Sequence, residues 1–365
     1  MKVLKFFRSN IVLTVSMVLA LCSMFFVVPS ADYLDYIDFR TLALLFSLMC
    51  VVGGLNGQGI FRRLALLLVG RSGNTRKVSL MLILLCFFSS MLITNDVALI
   101  TFVPFTVMTF TMCNCKKDIV LLVTLETVAA NLGSMATPVG NPQNLYLYNF
   151  FTMEMGEFLF AVLPYAALSL VLLLVSVFMI RSQSMVLPDM EISKSNKIKV
   201  AVYVALFILT LLCVLRLIPA WVVFAVTLVV SLILDVKVVL KVDYSLLLTF
   251  VFLFVFIGNL GNIKVVYDFL QSVVKGNELL VGVLASQVFS NVPTAVLLSG
   301  FTTNASALLT AVNLGGLGTV IASMASLISL NAVGSQVNKA RYLGVFTAVN
   351  VVFLLANILL YLIIS

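Results

Sequence analysis

The chain has 365 residues, 62% of them hydrophobic and 10% charged, with no histidine and a formal net charge of +8. A soluble domain carries roughly 25% charged residues, so water is excluded as the main solvent. The lack of histidine excludes a His-ligated zinc site and a His proton relay. Apolar runs at 11–28, 158–180, 198–215 and 342–363 approach or exceed the ~17–25 residues of a bilayer-spanning helix. None shows the period-2 alternation of an outer-membrane barrel. The expected class is an all-α polytopic membrane protein.

An internal repeat orders the elements. Asp38-Phe39 leading to Gly53-Gly54-Leu55 matches Asp243-Tyr244 leading to Gly258-Asn259-Leu260. Thr94-Asn95-Asp96 matches Ser290-Asn291-Val292. Asn131-Leu132-Gly133-Ser134 with Thr137 behind it matches Asn313-Leu314-Gly315-Gly316 with Thr319 behind it. Three matches in one order set a first repeat at 1–185, a linker and bridging helix at 186–219, and a second repeat at 220–365.

Along the chain, helices at 11–28 and 41–56 go out and back. Lys2, Lys5, Arg8 and the small residues at 29–31 give the first run the look of a secretory signal; its counterpart at 220–236 makes it a retained helix. Arg62 to Lys77 stays cytoplasmic as an interfacial helix. Residues 78–113 form two apolar legs around Thr94-Asn95-Asp96. The matching legs at 279–289 and 292–301 are too short to cross, so both units are read as re-entrant hairpins, entering from opposite faces. A discontinuous helix at 119–150 breaks at 131–134 and again at Thr137 to Asn144, where Pro and Gly free backbone groups. Helices at 157–180 and 198–217 follow, then 220–236, 244–260, the hairpin at 279–301, a broken helix at 305–331 and a last helix at 342–363. The total is nine crossings plus two hairpins. Five crossings separate Asp38 from Asp243, so the repeats are inverted.

With the N-terminus in the cytoplasm and the C-terminus outside, 18 of the 22 basic residues fall on the cytoplasmic side; Arg40, Arg216, Lys264 and Lys275 do not. This is the positive-inside pattern of a cell inner membrane. It leaves no basic patch for nucleic acid. Most of the six cysteines lie in apolar runs as small core residues; Cys113 and Cys115, beside Lys116 and Lys117, have a spacing that admits a metal or lipid role.

Inverted repeats with broken helices near the midplane are how many secondary transporters build a site. Asn95 and Asn291 suit it, because a carboxamide offers an acceptor to a cation and donors to an anion. Ser90 and Ser286 each lie four residues before the tip position, one helical turn below it. Asp96 and Glu126 are the only acids expected in the membrane, where carboxylates are costly and usually functional. Asp96, at a tip, is read as a coupling group for H⁺ or Na⁺ or as a structural one. Glu126 lies roughly 13 Å by helical rise from Lys117, which places it toward cytoplasmic water. The two acids sit on different elements, so no paired-acid catalytic site is expected, nor any cofactor beyond a coupling ion.

At these residues the chain resembles the ion transporter superfamily, which includes divalent anion/sodium symporters, citrate permeases, arsenite permeases and related Na⁺/H⁺ antiporters. The most specific parts are the duplicated Asn-bearing tips and the run Gly-Asn-Pro-Gln-Asn at 140–144. The resemblance implies that Thr94, Asn95, Ser290 and Asn291 bind substrate and Na⁺, with Asp96, Thr137, Asn141 and Thr319 beside the substrate. It implies that Ser90 and Ser286 complete two sodium sites with break carbonyls at Gly133 and Gly315, and that the protein forms a homodimer. The third tip positions are Asp96 and Val292, where the dicarboxylate branch has threonine; the Asn-Asp tip is more similar to the arsenite and antiporter branches. The expected function is therefore a Na⁺- or H⁺-coupled permease for a carboxylate or small oxyanion. The alternative is a Na⁺/H⁺ antiporter or arsenite-type efflux permease using Asp96.

Overall fold

A computed structural model describes residues 10–69, 73–185, 195–334 and 336–364. Lys2, Lys5, Arg8, Arg71 and Lys194, which contribute to the charge pattern, lie outside these residues. The described chain is all-helical, with no strand. The first half comprises α1 (Ile11–Ser23), α2 (Phe39–Gly57), α3 (Ile60–Val69), α4 (Thr75–Ile93), α5 (Asn95–Met112), α6 (Ile119–Ser134), α7 (Pro142–Phe150) and α8 (Met155–Ser176). Helix α9 (Lys197–Val214) leads to the second half. That half comprises α10 (Ala220–Leu240), α11 (Tyr244–Asn262), α12 (Lys264–Val274), α13 (Glu278–Phe289), α14 (Asn291–Ser299), α15 (Ala305–Gly315), α16 (Met324–Val333) and α17 (Lys339–Ile364).

Eight helices are long and apolar enough to cross a bilayer: α2, α4, α5, α8, α9, α10, α11 and α17. Six of them are crossings expected from the sequence. The first expected crossing, 11–28, forms a helix of only 13 residues ending at Ser23. It is built into the fold: Asn259 Nδ2 of α11 donates to Ser23 Oγ at 2.8 Å and to the Tyr33 hydroxyl at 2.9 Å. The legs of the first hairpin run 19 and 18 residues, against 12 and 9 in the second. Length alone would let the first pair cross fully, so the equivalence of the two hairpins rests on their tips.

The sequence repeat carries into local structure. Helices α2 and α11 each have 19 residues and each begins at an aspartate cap. Asp38 accepts from the Thr41 amide at 2.9 Å and Asp243 from the Leu246 amide at 3.0 Å, satisfying an otherwise orphaned helix-start donor. Asp38→Ala and Asp243→Ala are each expected to cost about 1 kcal/mol, read as a lower thermal midpoint in detergent. Short amphipathic helices follow both: α3 buries Phe61, Ala65 and Val69 and exposes Arg62 and Arg63, and α12 exposes Lys264 and Asp268. Helix α12 is an element beyond those expected from the sequence.

Packing between the halves is reciprocal. Helix α2 packs on α10 and α11 on α1; α5 packs on α16 and α14 on α7; α8 packs on α15 and α17 on α6. An exchange in which one half's element meets its partner's counterpart, and the reverse, is the pattern of a twofold relation. It brings the tips and breaks of both halves together.

Candidate binding site

The two tips share one backbone conformation. Thr94 has φ 70° and ψ 150°, and Ser290 has φ 72° and ψ 155°. A positive φ is uncommon in a non-glycine residue, and here it reverses the chain within one residue so that α5 and α14 start directly at Asn95 and Asn291. Each tip is pinned to the break of its own half. The Asn95 amide donates to the Gly140 carbonyl at 3.1 Å, and the Asn291 amide to the Ala322 carbonyl at 2.9 Å.

The breaks then exchange hydrogen bonds across the halves. Asn141, which caps α7, donates through Nδ2 to Asn313 Oδ1 at 3.1 Å. Ser323, at the residue before α16, donates to Asn131 Oδ1 at 3.2 Å. Residues 141 and 323 are separated by the same 182 positions as 131 and 313, so the two bonds are equivalents under the repeat. Asn131 Oδ1 also accepts from Asn95 Nδ2 at 3.1 Å, and Asn313 Nδ2 donates to Asn144 Oδ1 at 2.6 Å. The starts of α5, α7, α14 and α16 therefore share one buried amide network.

Close backbone approach sits beneath each tip. A Cβ on Gly133 would lie 2.1 Å from the Phe87 carbonyl oxygen and 2.7 Å from Ser90 Oγ; on Gly315 it would lie 2.5 Å from Ser286 Oγ. Ser90 and Ser286 are fully buried. Their hydroxyls donate back to the Phe87 carbonyl at 2.9 Å and the Gly282 carbonyl at 2.7 Å, which leaves oxygen lone pairs facing the glycines.

The structure thus gathers Ser90, Asn95, Gly133 and Asn141 of the first half with Ser286, Ser290, Asn291 and Gly315 of the second. Asn95, Ser290, Asn291 and Asn141 are buried, Thr94, Asp96 and Thr137 half-buried, and Thr319 exposed. Thr137 donates to the Met91 carbonyl of the hairpin. In the second half that position is Gln287, whose Nε2 donates to the Gly315 and Leu317 carbonyls at 2.9 and 2.8 Å and whose Oε1 accepts from the Thr319 amide. The Gly315 carbonyl is thereby engaged by an amide donor. Asn131, Asn313, Asn144, Ser323 and Gln287 join the site without having been singled out as binding residues. The first two were visible as repeat markers; Ser323 had no signal, because its counterpart is an asparagine.

Two expectations about acids change. Glu126 does not face cytoplasmic water: all of α6 except Leu121 is buried, and Glu126 is 0% exposed. It accepts from Thr106 Oγ1 at 2.5 Å. Asp96 is half-buried, and a third acid, Glu278, is buried at the start of α13, accepting from Thr302 Oγ1 at 2.7 Å. Arg216, off the basic side, caps α7 by donating to the carbonyls of Tyr148, Thr152 and Met153.

The profile of the citrate transporter family CitMHS matches residues 3–307. The chain belongs to the citrate transporter family. It is a multi-pass membrane transporter and not an enzyme. Relatives agree with this assignment. An uncharacterized transporter of Methanocaldococcus jannaschii is 31% identical over 300 residues, 79% of each chain. The inner membrane protein YbiR of Escherichia coli is 30% identical over 283 residues, 76% of this chain and 75% of YbiR. A silicon efflux transporter of Oryza sativa, LSI3, is 36% identical over 140 residues, 38% of this chain and 28% of that protein. In this member of the citrate transporter family the tips and breaks of the two halves are joined by buried hydrogen bonds.

Proposed function

We propose that the chain is a secondary active transporter carrying a carboxylate or small oxyanion through the site between the two tips, coupled to Na⁺ or H⁺. One observation carries this reading: the N-termini of α5, α7 and α16 meet through buried carboxamide and hydroxyl bonds, and that of α14 joins them through the Asn291 amide on the Ala322 carbonyl. Helix N-termini present positive dipole ends to an anion, and broken helices of this kind hold substrate and ion in other transporters. Serine oxygens below each tip supply a hard ligand set for Na⁺. Ser286 is the less favourable of the two, since Gln287 occupies the adjacent Gly315 carbonyl.

The test is uptake by the full chain reconstituted in liposomes, with labelled citrate, succinate and arsenate as probes. Accumulation driven by an imposed Na⁺ or pH gradient is expected for at least one of them. No accumulation of any probe under either gradient would overturn the reading. The protein is placed in the cytoplasmic membrane with its N-terminus inside and C-terminus outside, a reading supported by the distribution of basic residues. A homodimer in detergent is expected, measured by light scattering.

A second reading has its own observation. Asp96 follows Asn95 directly, is half-buried, and its carboxyl makes no hydrogen bond or ion pair among the described residues; the counterpart position is Val292. A lone tip carboxylate suits a cation/proton exchanger or an efflux permease. This reading expects Na⁺-driven alkalinisation of the vesicle lumen with no anion present, abolished in Asp96→Asn. Exchange that survives Asp96→Asn would remove it.

A further inference from the structure

The repeat places Thr106 and Thr302 at equivalent positions, each 11 residues beyond its tip asparagine. Each donates to a buried glutamate, but the glutamates are not equivalents. Thr302 holds Glu278, at the base of the second hairpin, where Oε1 also accepts the Gly276 amide at 3.1 Å. Thr106 holds Glu126, which lies in the middle of α6, five residues before Asn131 of the central network. Glu126 has this one partner. Its Oε2 is buried and unpartnered, and no basic side chain among the described residues pairs with it.

The surroundings add open oxygens and no charge. Thr109 Oγ1, one turn along α5 from Thr106, is buried without a partner. The Tyr342 hydroxyl of α17 is buried beside Glu126 and Thr127. Thr127 in turn donates to Ser329 Oγ of α16 at 2.7 Å. Among the described residues, Cys86 of α4 and Tyr342 of α17 are the titratable side chains close enough to feel the Glu126 charge. Helices α15 and α16 carry none. On α8, Glu157 accepts from Ser306, and Tyr165 stacks on Tyr361. A carboxyl buried in a membrane protein with no countercharge is neutralised by a proton or by a bound cation. Among the described residues no cluster of acidic or cysteine side chains that could hold a metal ion forms here, so a single carboxylate among neutral hydroxyls favours a proton over a divalent cation.

Resting on the transporter reading above, we propose that Glu126 is the proton-carrying group of the transport cycle, binding H⁺ on Oε2 on the α6 side of the Asn131 network while Thr106 holds Oε1. The step is protonation of the carboxylate to a carboxylic acid and its reversal, with the proton taken from water and returned to water on the other side. Coupling then lies in α6, away from the tip residue Asp96.

Glu126→Gln keeps the shape and the acceptor for Thr106 and fixes the neutral state. In proteoliposomes of the full chain with labelled citrate, citrate/citrate exchange at equal pH is expected to persist. Uptake driven by a pH gradient is expected to fall at least about 50-fold. Glu278→Gln is expected to retain both. Infrared spectroscopy across a pH titration gives a readout independent of substrate: the protonated-carboxyl carbonyl band that titrates in the unaltered protein is expected to vanish in Glu126→Gln. Gradient-driven uptake that survives Glu126→Gln, or a titrating band unchanged by it, overturns the proposal. If citrate is not carried at all, the substrate reading fails, and the infrared band alone decides Glu126.

Discussion

Gly133→Ala is expected to reduce transport to below about 1% of the unaltered rate and to destabilise the protein by about 3 kcal/mol. The cause is backbone, not side chain. The new methyl would stand 2.1 Å from the Phe87 carbonyl, where real contacts begin near 3.0 Å, so α4 and α6 must separate by about 1 Å. Overpacking of this kind typically costs ~1–3 kcal/mol, and here the obstructing atom belongs to a helix that cannot rotate out of the way. Ser90 and the Thr94 tip ride on α4, while Asn131 rides on α6, so the shift opens the Asn95–Asn131 contact as well. Binding constellations tolerate about 0.5 Å of displacement, which is why activity falls further than stability.

Two comparisons make this prediction specific. Gly315→Ala meets Ser286 Oγ at 2.5 Å and Cβ at 2.7 Å, with the nearest backbone atom at 3.2 Å rather than 2.1 Å; its expected penalty is smaller. Gly344→Ala, on the exposed face of α17 with nothing within 4 Å, is expected to change neither property. Thermal midpoints in detergent, together with uptake in vesicles, rank the three variants. A Gly133→Ala protein that transports at more than half the normal rate would show that the close approach of α4 and α6 has no functional role.

How much of this was legible in the sequence follows from how far each contact reaches along the chain. The tips were readable because their signal is local and duplicated: a polar triplet between apolar legs, twice, with a serine one turn before each. The breaks were readable because Gly and Pro interrupt an apolar run. The partners of Asn131 and Asn313 were not. Asn141 reaches Asn313 across 172 positions, and Ser323 reaches Asn131 across 192. Only the reciprocal packing of the halves specifies such pairs, and the serine at 323 in place of asparagine hides the equivalence. Glu126 was misjudged for a related reason. Helical rise gives only an axial distance from Lys117 and says nothing about lateral cover, and α4, α5, α8, α15, α16 and α17 all pack on α6. Glu278 is not legible as a buried acid, because an acid in the first turn of a helix is an ordinary occurrence that favours the dipole; its burial and its bond from Thr302 are tertiary facts.

The pseudo-symmetry is also where the two asparagines part company, and this sets the second large expectation. Asn291→Ala is expected to lower transport about 100-fold while leaving the thermal midpoint nearly unchanged. Its carboxamide packs over Gly316 and makes no side-chain hydrogen bond among the described residues, so truncation orphans no protein group and removes only what the amide offers to a solute. Asn95→Ala behaves differently. Its Nδ2 donates to Asn131 Oδ1, which keeps the Ser323 donor, and its Oδ1 accepts from the Asp96 amide, so losing it removes two hydrogen bonds at about 0.5–1.5 kcal/mol each. Both stability and transport are expected to fall. The decisive measurement is binding rather than flux: a thermal-shift titration with citrate, with and without Na⁺, in which any ligand specific to the native state raises the midpoint. The Asn291→Ala protein should melt as the unaltered protein does but lose the citrate-dependent rise. If it keeps that rise in full, the second tip does not contact the solute, and the site lies elsewhere in the network.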